Sequence, residues 1–177
     1  AELKMLRVIK KLKEISPLTI KSTFLGTHAL PLEYKGNKDA YMDLVIYEML
    51  PKVAEEGLAE YVDIFCEDGY FDVADTERLL AAASQYNLTP KTHVNQFNII
   101  GGVQACVKHG ALSVDHLEVM NDADIEVLQG ADCIPTLLPS CSFFLGIPYG
   151  PARKMIQAGL PVALASDYNP GSNPSGN

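Results

Sequence analysis

Short apolar runs alternate along the chain with segments in which apolar residues recur at helical spacing. The runs are rich in β-branched and aromatic residues and predict six strands, at residues 21–27, 61–66, 89–94, 111–115, 132–138 and 160–166. The segments between them predict five helices, at residues 40–56, 74–86, 101–108, 122–129 and 151–158. Pro51 is expected to kink or divide the first helix, because proline cannot donate the helical hydrogen bond.

This alternation of strand and helix builds a parallel sheet, either as an open doubly wound sheet or as a closed eight-stranded barrel. The periodicity alone fits both architectures. In a barrel, reactive side chains lie at the carboxyl ends of successive strands. The polar residues of this chain follow that rule and favour an α/β barrel.

Composition and charge narrow the class of protein. With 177 residues and 47% hydrophobic side chains, the chain is expected to form one globular domain. Its net charge of -8 opposes binding to nucleic acid or to an anionic membrane surface. The opening segment AELKMLRVIKKLKEIS is amphipathic and charged, unlike a signal peptide, and no apolar run is long enough to span a membrane. A cytoplasmic protein is therefore expected.

The four cysteines and one of the histidines carry little functional signal. Cys66, Cys106, Cys133 and Cys141 lack the paired spacing of a zinc module and are expected to behave as small buried hydrophobes. His109 follows a predicted helix, where a capping role or an interaction with the helix dipole is the natural interpretation.

Histidine and aspartate side chains occur where four of the predicted strands end. They are His28 in FLGTH, His93 in PKTHVNQ, His116 in LSVDHLE and Asp167 in VALASDYNPGS. Parallel strands would bring His93, His116 and Asp167 to one face, where imidazole nitrogen and carboxylate oxygen suit Zn²⁺ or Fe²⁺. A hydrogen-bonded pair of histidine and aspartate without metal is the competing interpretation.

A turn directly after Asp167 adds a second polar feature. Residues 169–172, Asn-Pro-Gly-Ser, offer an amide, a conformationally permissive glycine and a hydroxyl, with backbone N–H groups that could face an anion. In isolation this tetrapeptide would be read as an ordinary turn. Its position behind a candidate metal ligand makes it a candidate substrate-binding turn.

Several of these segments together resemble the imidazolonepropionase family of the amidohydrolase superfamily. The resemblance rests on FLGTHALPLEYKG, VDIFCEDGYF, KTHVNQF, GALSVDHLEVM, TLLPSCSFFL and ALASDYNPGS, which span nearly the whole chain. It implies an α/β fold with a partial (β/α)8 barrel like the TIM barrel, in which the six strands are the third to the eighth. Residues 1–177 would then be a single incomplete barrel domain. The first two strands, with a His-x-His pair of metal ligands, and a small β domain would be missing, leaving an open sheet edge.

The resemblance also implies roles for individual residues. His93 and Asp167 match metal ligands, and His116 matches a catalytic histidine. The remaining matches are substrate-binding positions: His28, Gln96, Asn169, Gly171 and Ser172. Gln96 stands where many relatives have glutamate, and since glutamine cannot act as a general base, Asp167 and His116 would have to suffice for proton transfer.

The implied activity is the metal-dependent hydrolysis of the cyclic amide of 4-imidazolone-5-propanoate to N-formimidoyl-L-glutamate in histidine catabolism. One Zn²⁺ or Fe²⁺ is expected for each complete subunit, which would act on a small-molecule substrate and could form a homodimer. Two alternatives stay open: another amidohydrolase, such as a deaminase or a cyclic-ureide hydrolase, and a non-catalytic fragment.

Overall fold

A computed structural model describes residues 1–175, and within them six parallel strands form one sheet. The strands are β1 (Thr23–Thr27), β2 (Tyr61–Cys66), β3 (Thr89–Val94), β4 (Ser113–His116), β5 (Ile134–Leu137) and β6 (Ala163–Leu164). Each strand pairs with its neighbours in sequence, in the order β1 to β6. Because crossovers between parallel strands are right-handed, this order keeps the connecting helices on one face of the sheet. An unbroken order of this kind is the arrangement of a barrel, whereas a doubly wound sheet reverses its strand order.

Helices connect the strands and cover the sheet. They are α1 (Glu2–Ile15), α2 (Lys38–Asp43), α3 (Leu50–Glu55), α4 (Val73–Ser84), α5 (Gly102–Lys108), α6 (Asp122–Gln129), α7 (Pro139–Leu145) and α8 (Ala152–Gln157). None of the helices within residues 1–175 is both long enough and apolar enough to cross a membrane. Two of these helices, α1 and α7, are absent from the sequence prediction, although the amphipathic pattern of α1 is visible in it.

Pro51 does not divide the first predicted helix, whose backbone stays helical from Lys38 to Glu55, but its regular hydrogen bonding changes before Pro51. Residues Leu44–Met49 form a π-helical segment between α2 and α3, and Pro51 lies in the first turn of α3. Proline cannot donate to a carbonyl in the preceding turn, and a wider π turn accommodates that missing hydrogen bond. The buried side chains of Val45, Ile46 and Leu50 keep this segment packed on the core.

The core lies between the sheet and the central helices. In β2, alternation directs Val62, Ile64 and Cys66 to one face and Asp63 and Phe65 to the other. The apolar face packs in one cluster with buried side chains of α4, α5 and α6, among them Leu79, Leu80, Val103, Cys106, Ile125 and Leu128. The opposite face is left to carry polar groups.

Side chains cap the amino ends of α4 and α6. Asp72 caps α4 and forms a reciprocal capping box with Asp75. Asn121 caps α6, because its side chain accepts a hydrogen bond from the backbone N–H of Asp124. His109 is the C-cap residue of α5, as predicted.

Candidate active site

One cavity of about 480 Å³ opens at the carboxyl ends of the strands, and all eight predicted site residues line it. They are His28, His93, Gln96, His116, Asp167, Asn169, Gly171 and Ser172. Leu25, Phe65, Tyr70, Phe97 and Leu145 complete the wall with apolar and aromatic surface. Residues that are far apart in sequence therefore converge on one concave site with apolar walls and a few polar groups, the usual form of a small-molecule site.

His93 ends β3 and is held from behind by a buried carboxylate. Its Nδ1 atom lies 2.7 Å from Oδ2 of Asp63, and its backbone N–H donates to Oδ1 of Asp63 over 3.1 Å. The contact between Nδ1 of His93 and Oδ2 of Asp63 is short but not aligned as a hydrogen bond. It is an ion pair when the imidazole is protonated. Asp63 thereby fixes the imidazole and leaves Nε2 as the nitrogen available to the cavity, the arrangement that supports metal-binding histidines.

The electrostatic potential at His93 is negative, because carboxylates surround the imidazole. Burial lowers the pKa of His93, but the charges of Asp63, Asp115 and Asp167 outweigh burial and raise the pKa to about 9. The carboxylates that stabilise a protonated imidazole would equally stabilise a metal cation bound to it. Asp167 contributes to this potential and lines the same cavity, so the cavity offers both an imidazole nitrogen and a carboxylate oxygen.

His116 is the last residue of β4, and its backbone departs from the extended conformation. In strict alternation His116 would face away from His93, because Asp115 is the residue paired with His93. The φ angles of His116 (85°) and Leu117 (60°) are in the left-handed region, which interrupts the alternation and turns the imidazole into the cavity. The ring centroids of His93 and His116 are 5.1 Å apart. Such strain is typical of functional positions.

A second buried carboxylate contacts His116. Oε1 of Glu118 lies 3.4 Å from Nδ1 of His116 and accepts a hydrogen bond of 3.1 Å from the hydroxyl of Ser142. The side chain of Glu118 is only 1% exposed. His93 and His116 therefore each have a carboxylate behind Nδ1.

Asp167 and the turn after it form a compact hydrogen-bonded unit. The Ser172 hydroxyl donates to Oδ2 of Asp167 over 2.8 Å, and the Asn169 amide donates to the Asp167 carbonyl over 2.8 Å. The backbone N–H groups of Gly171 and Ser172 donate to Oδ1 of Asn169. These two N–H groups therefore hold the turn itself, contrary to the expectation that they face an anion. The Asn169 amide and the Ser172 hydroxyl still line the cavity.

His28 lies against His93, and Gln96 lies beside Cys141. His28 stacks on Phe65 with ring centroids 5.6 Å apart and meets the ring of His93 edge-on at 5.7 Å. Burial and the neighbouring His93 lower the pKa of His28, which keeps His28 neutral near pH 7. Gln96 is buried, with its amide nitrogen 3.7 Å from the sulfur of Cys141.

Three buried carboxylates that support the site escape the sequence prediction: Asp63, Glu67 and Glu118. Glu67 accepts hydrogen bonds from the backbone N–H groups of Phe97 and Asn98 and so holds the loop that carries Gln96. A signal was present, because an acid inside the apolar run YVDIFCE is costly to bury unless it has a partner.

The donor set of this chain supplies part of a metal site. His93 and Asp167 suit a divalent cation, but among residues 1–175 they are not part of a group of three possible ligands whose atoms lie within 4.8 Å of one another. Within those residues, such a group is formed by His116, Glu118 and Cys141. The chain fits a metal held by His93 and Asp167 together with ligands from elsewhere.

Proteins of similar sequence match this chain over its whole length. It is 70% identical over 177 residues to the imidazolonepropionase of Christiangramia forsetii and 62% identical over 176 residues to that of Flavobacterium johnsoniae. The chain belongs to the imidazolonepropionase family. It spans about 43% of the length of these two relatives. No protein-family model matches the chain.

Solved structures show the fold of this imidazolonepropionase-family chain. The triazine hydrolase of Arthrobacter aurescens superposes with a TM-score of 0.69 at 17% identity, over 96% of this chain and 41% of the hydrolase. An adenosine deaminase from Xanthomonas campestris with bound zinc gives a TM-score of 0.64 at 14% identity, over 89% of this chain and 39% of the deaminase. Both are amidohydrolases matched over part of their length, which confirms the predicted partial barrel.

Proposed function

We propose that the intact protein, of the length of its curated relatives, hydrolyses 4-imidazolone-5-propanoate to N-formimidoyl-L-glutamate. The family relationship supports the reaction. The observation that carries the proposal is the convergence of His28, His93, His116, Asp167 and the 169–172 turn on one cavity. That cavity combines groups that can move a proton, stabilise an oxyanion and hold a small polar ring.

We propose a divalent metal, Zn²⁺ or Fe²⁺, held by His93 and Asp167 together with ligands from outside this chain. When bound, such a metal lowers the pKa of a water molecule toward about 7 and polarises a carbonyl oxygen. The zinc bound in the structurally similar adenosine deaminase supports a divalent ion in this fold. The ion pair between Asp63 and His93 provides the supporting contact that a metal-binding imidazole needs.

Asp167 and His116 carry the chemistry within this chain. Asp167 accepts the proton of the attacking water, and the hydroxyl of Ser172, 2.8 Å from its Oδ2, orients the carboxylate. His116 stabilises the negative charge that develops on the imidazolone oxygen when the water adds to the carbonyl carbon. As the ring C–N bond then breaks, the proton held by Asp167 passes to the leaving nitrogen. Glu118 behind Nδ1 positions the ring of His116.

The remaining cavity residues position the substrate. His28, stacked on Phe65, and Gln96, buried beside Cys141, line the cavity and orient the imidazolone ring. The 169–172 turn is the proposed contact for the propionate carboxylate. The Asn169 amide would exchange its internal hydrogen bond to Ser172 for the carboxylate, because the Ser172 hydroxyl already donates to Asp167. Gln96 binds by hydrogen bonds alone, because its amide cannot exchange protons with the substrate at neutral pH.

The surroundings of the enzyme belong to the same proposal. The relatives of this chain are enzymes that act on small molecules, and the chain has a net charge of -8. We therefore expect the protein to act in the cytoplasm, without nucleic-acid or membrane partners. A homodimer is the expected assembly. Mass photometry of the intact protein would test the assembly, and a monomer under working conditions would contradict it.

A substrate panel tests the function. The intact metal-loaded protein should turn over imidazolonepropionate, with little or no turnover of guanine, adenosine or hydantoin at equal concentration. Product formation is followed by loss of the imidazolone chromophore and by mass detection of N-formimidoylglutamate. Preferred release of ammonia from a purine, or preferred opening of hydantoin, would replace the proposed function with that of another amidohydrolase.

A further inference from the structure

A group of three side chains that could bind a metal adjoins His93 and Asp167. The His116 ring lies 5.1 Å from the His93 ring, and the Cys141 thiol contacts Asp167. One possible ligand atom from each of His116, Glu118 and Cys141 lies within 4.8 Å of the others. His116 ends β4, Glu118 follows two residues later, and Cys141 lies in α7. All three residues are at most 5% exposed. We call this group the thiol cluster.

One atom of the thiol cluster is left without a partner. Oε1 of Glu118 is used by His116 and Ser142, whereas Oε2 is buried and, among residues 1–175, has no hydrogen-bond partner. If Glu118 served only to orient His116, the contacts of Oε1 would be accounted for. The burial of Oε2 without a hydrogen-bond partner would not be. Leaving such a buried oxygen unpaired is destabilising, and a cation at this point would satisfy it.

The chemistry of the thiol cluster is selective. It offers an imidazole nitrogen, a carboxylate oxygen and a cysteine sulfur, a donor set typical of zinc. The hard ions Mg²⁺ and Ca²⁺ prefer oxygen ligands and are excluded by the thiolate. The other three cysteines are also buried and unpaired, but they do not belong to such a group within residues 1–175.

We propose that His116, Glu118 and Cys141 form a second, inhibitory binding site for a thiophilic divalent cation such as Zn²⁺. Binding replaces the proton on the thiol of Cys141 and breaks the contact between Nδ1 of His116 and Glu118. His116 then carries a fixed cation and no longer stabilises the reacting oxygen. The site follows from the geometry alone, whereas its inhibitory effect rests on the proposed hydrolase function.

Cobalt titration tests the site independently of activity. Metal-free intact protein is titrated with Co²⁺, and a thiolate-to-cobalt charge-transfer band in the near ultraviolet is recorded together with the bound stoichiometry. His93 and Asp167 supply no sulfur, so the band reports the thiol cluster. We expect two bound equivalents and a saturable band in the wild type. Absence of the band, despite binding at the first site, would overturn the proposal.

Three variants assign the band to the thiol cluster. Cys141→Ser should abolish it and leave one bound equivalent, whereas Cys133→Ser, which removes a buried cysteine outside the cluster, should keep it. Glu118→Gln preserves the side-chain shape and should raise the Co²⁺ concentration needed for the band by roughly 10-fold or more. His93→Ala should lose the other equivalent and keep the band. A band that persists in Cys141→Ser would contradict the assignment.

Zinc inhibition tests the consequence. Activity should fall as Zn²⁺ exceeds one equivalent, and the inhibitory concentration should rise about 10-fold or more in Cys141→Ser but not in Cys133→Ser. A cobalt band without zinc inhibition would refute the inhibitory effect. If the wild type hydrolysed no imidazolone at all, the proposed function would fail while the cobalt titration still decided the site.

Discussion

At the scale of single residues, His93 and His116 share one arrangement. Each has a buried carboxylate behind Nδ1, Asp63 at 2.7 Å from His93 and Glu118 at 3.4 Å from His116. The sequence predicts the histidines because strand ends are where barrels place reactive groups. It does not predict Asp63 as a partner, because the two residues are 30 positions apart and meet only when β2 pairs with β3.

The contact between Asp63 and His93 predicts the effect of one substitution on metal binding. Asp63→Asn should weaken the metal affinity of the intact protein by about 10- to 100-fold, because the amide lacks the charge that supports the imidazole. Metal affinity is measured by competition with a chelator. Asp68→Asn, in the exposed loop after the same strand, is the matched control. Equal affinities for the two variants would show that Asp63 does not support the metal.

A second prediction separates catalysis from metal binding. His116→Ala should lower kcat by about 10²- to 10⁴-fold, because the variant loses the group that stabilises the developing charge. The metal content of protein loaded with one equivalent should stay nearly unchanged, since His93 and Asp167 remain. Steady-state kinetics and elemental analysis check both readouts. Loss of that one equivalent would instead make His116 a ligand of the catalytic metal.

At the scale of elements, the alternation of strands and helices could be predicted to within a few residues for β2, β3, α4, α5 and α6. Hydrophobic periodicity is clear in these segments because one face of each is buried. Helix α7 was missed because PSCSFFL reads as a continuation of the strand before it. Strand β6 has two residues instead of the predicted seven, and Leu164 is 71% exposed.

The loop before α8 approaches β4 closely enough to constrain it. A Cβ atom at Gly150 would lie 2.6 Å from Cδ2 of Leu137 and 2.9 Å from the carbonyl oxygen of Leu117, the residue after His116. Gly150→Ala should therefore destabilise the protein by about 1–3 kcal/mol and lower turnover by displacing His116. Urea unfolding and kinetics measure the two effects.

Gly130→Ala provides the matched control for the loop. A Cβ atom at Gly130 would meet its nearest neighbour at 3.8 Å, and the residue has a φ angle of -90°. The alanine should therefore be tolerated or slightly stabilising, because it restricts the unfolded chain. If the Gly150 and Gly130 variants were equally stable, the close approach to Leu117 would not be a real constraint.

A third element-scale feature fixes α1 to the sheet. Lys13 and Ser22 donate hydrogen bonds to the carboxylate of Glu60. Burial raises the pKa of Glu60, but these hydrogen bonds outweigh burial and lower the pKa from 4.5 to about 2. Since the folded pKa lies below the unfolded one, the stabilisation is complete above about pH 4.5 and is lost as the pH falls toward 2.

Glu60→Gln should accordingly lower the free energy of unfolding near neutral pH and have a diminishing effect below pH 4.5. Chemical unfolding at several pH values measures the difference from the wild type. Glu14→Gln removes a charge from α1 itself and controls for net charge. A Glu60→Gln effect that grew as the pH fell would have the wrong sign for this account.

At the scale of the whole molecule, parallel strands in sequential order bring the site residues, which lie between positions 28 and 172, to one end of the sheet. The barrel and the membership of the cavity could be predicted because strand-end polar residues recur in order. The internal hydrogen bonds of the 169–172 turn could not be predicted, because they depend on backbone dihedral angles that the sequence does not specify. The proposed metal needs further ligands, and the chain spans about 43% of the length of two curated relatives.

The most direct test of the account is the turnover of imidazolonepropionate by intact Asp167→Asn protein beside the wild type. Asp167 is assigned both to the metal and to the proton of the attacking water, and asparagine retains its shape without its basicity. The account predicts that hydrolysis is abolished while the circular dichroism spectrum is unchanged. Turnover at the wild-type rate would contradict it.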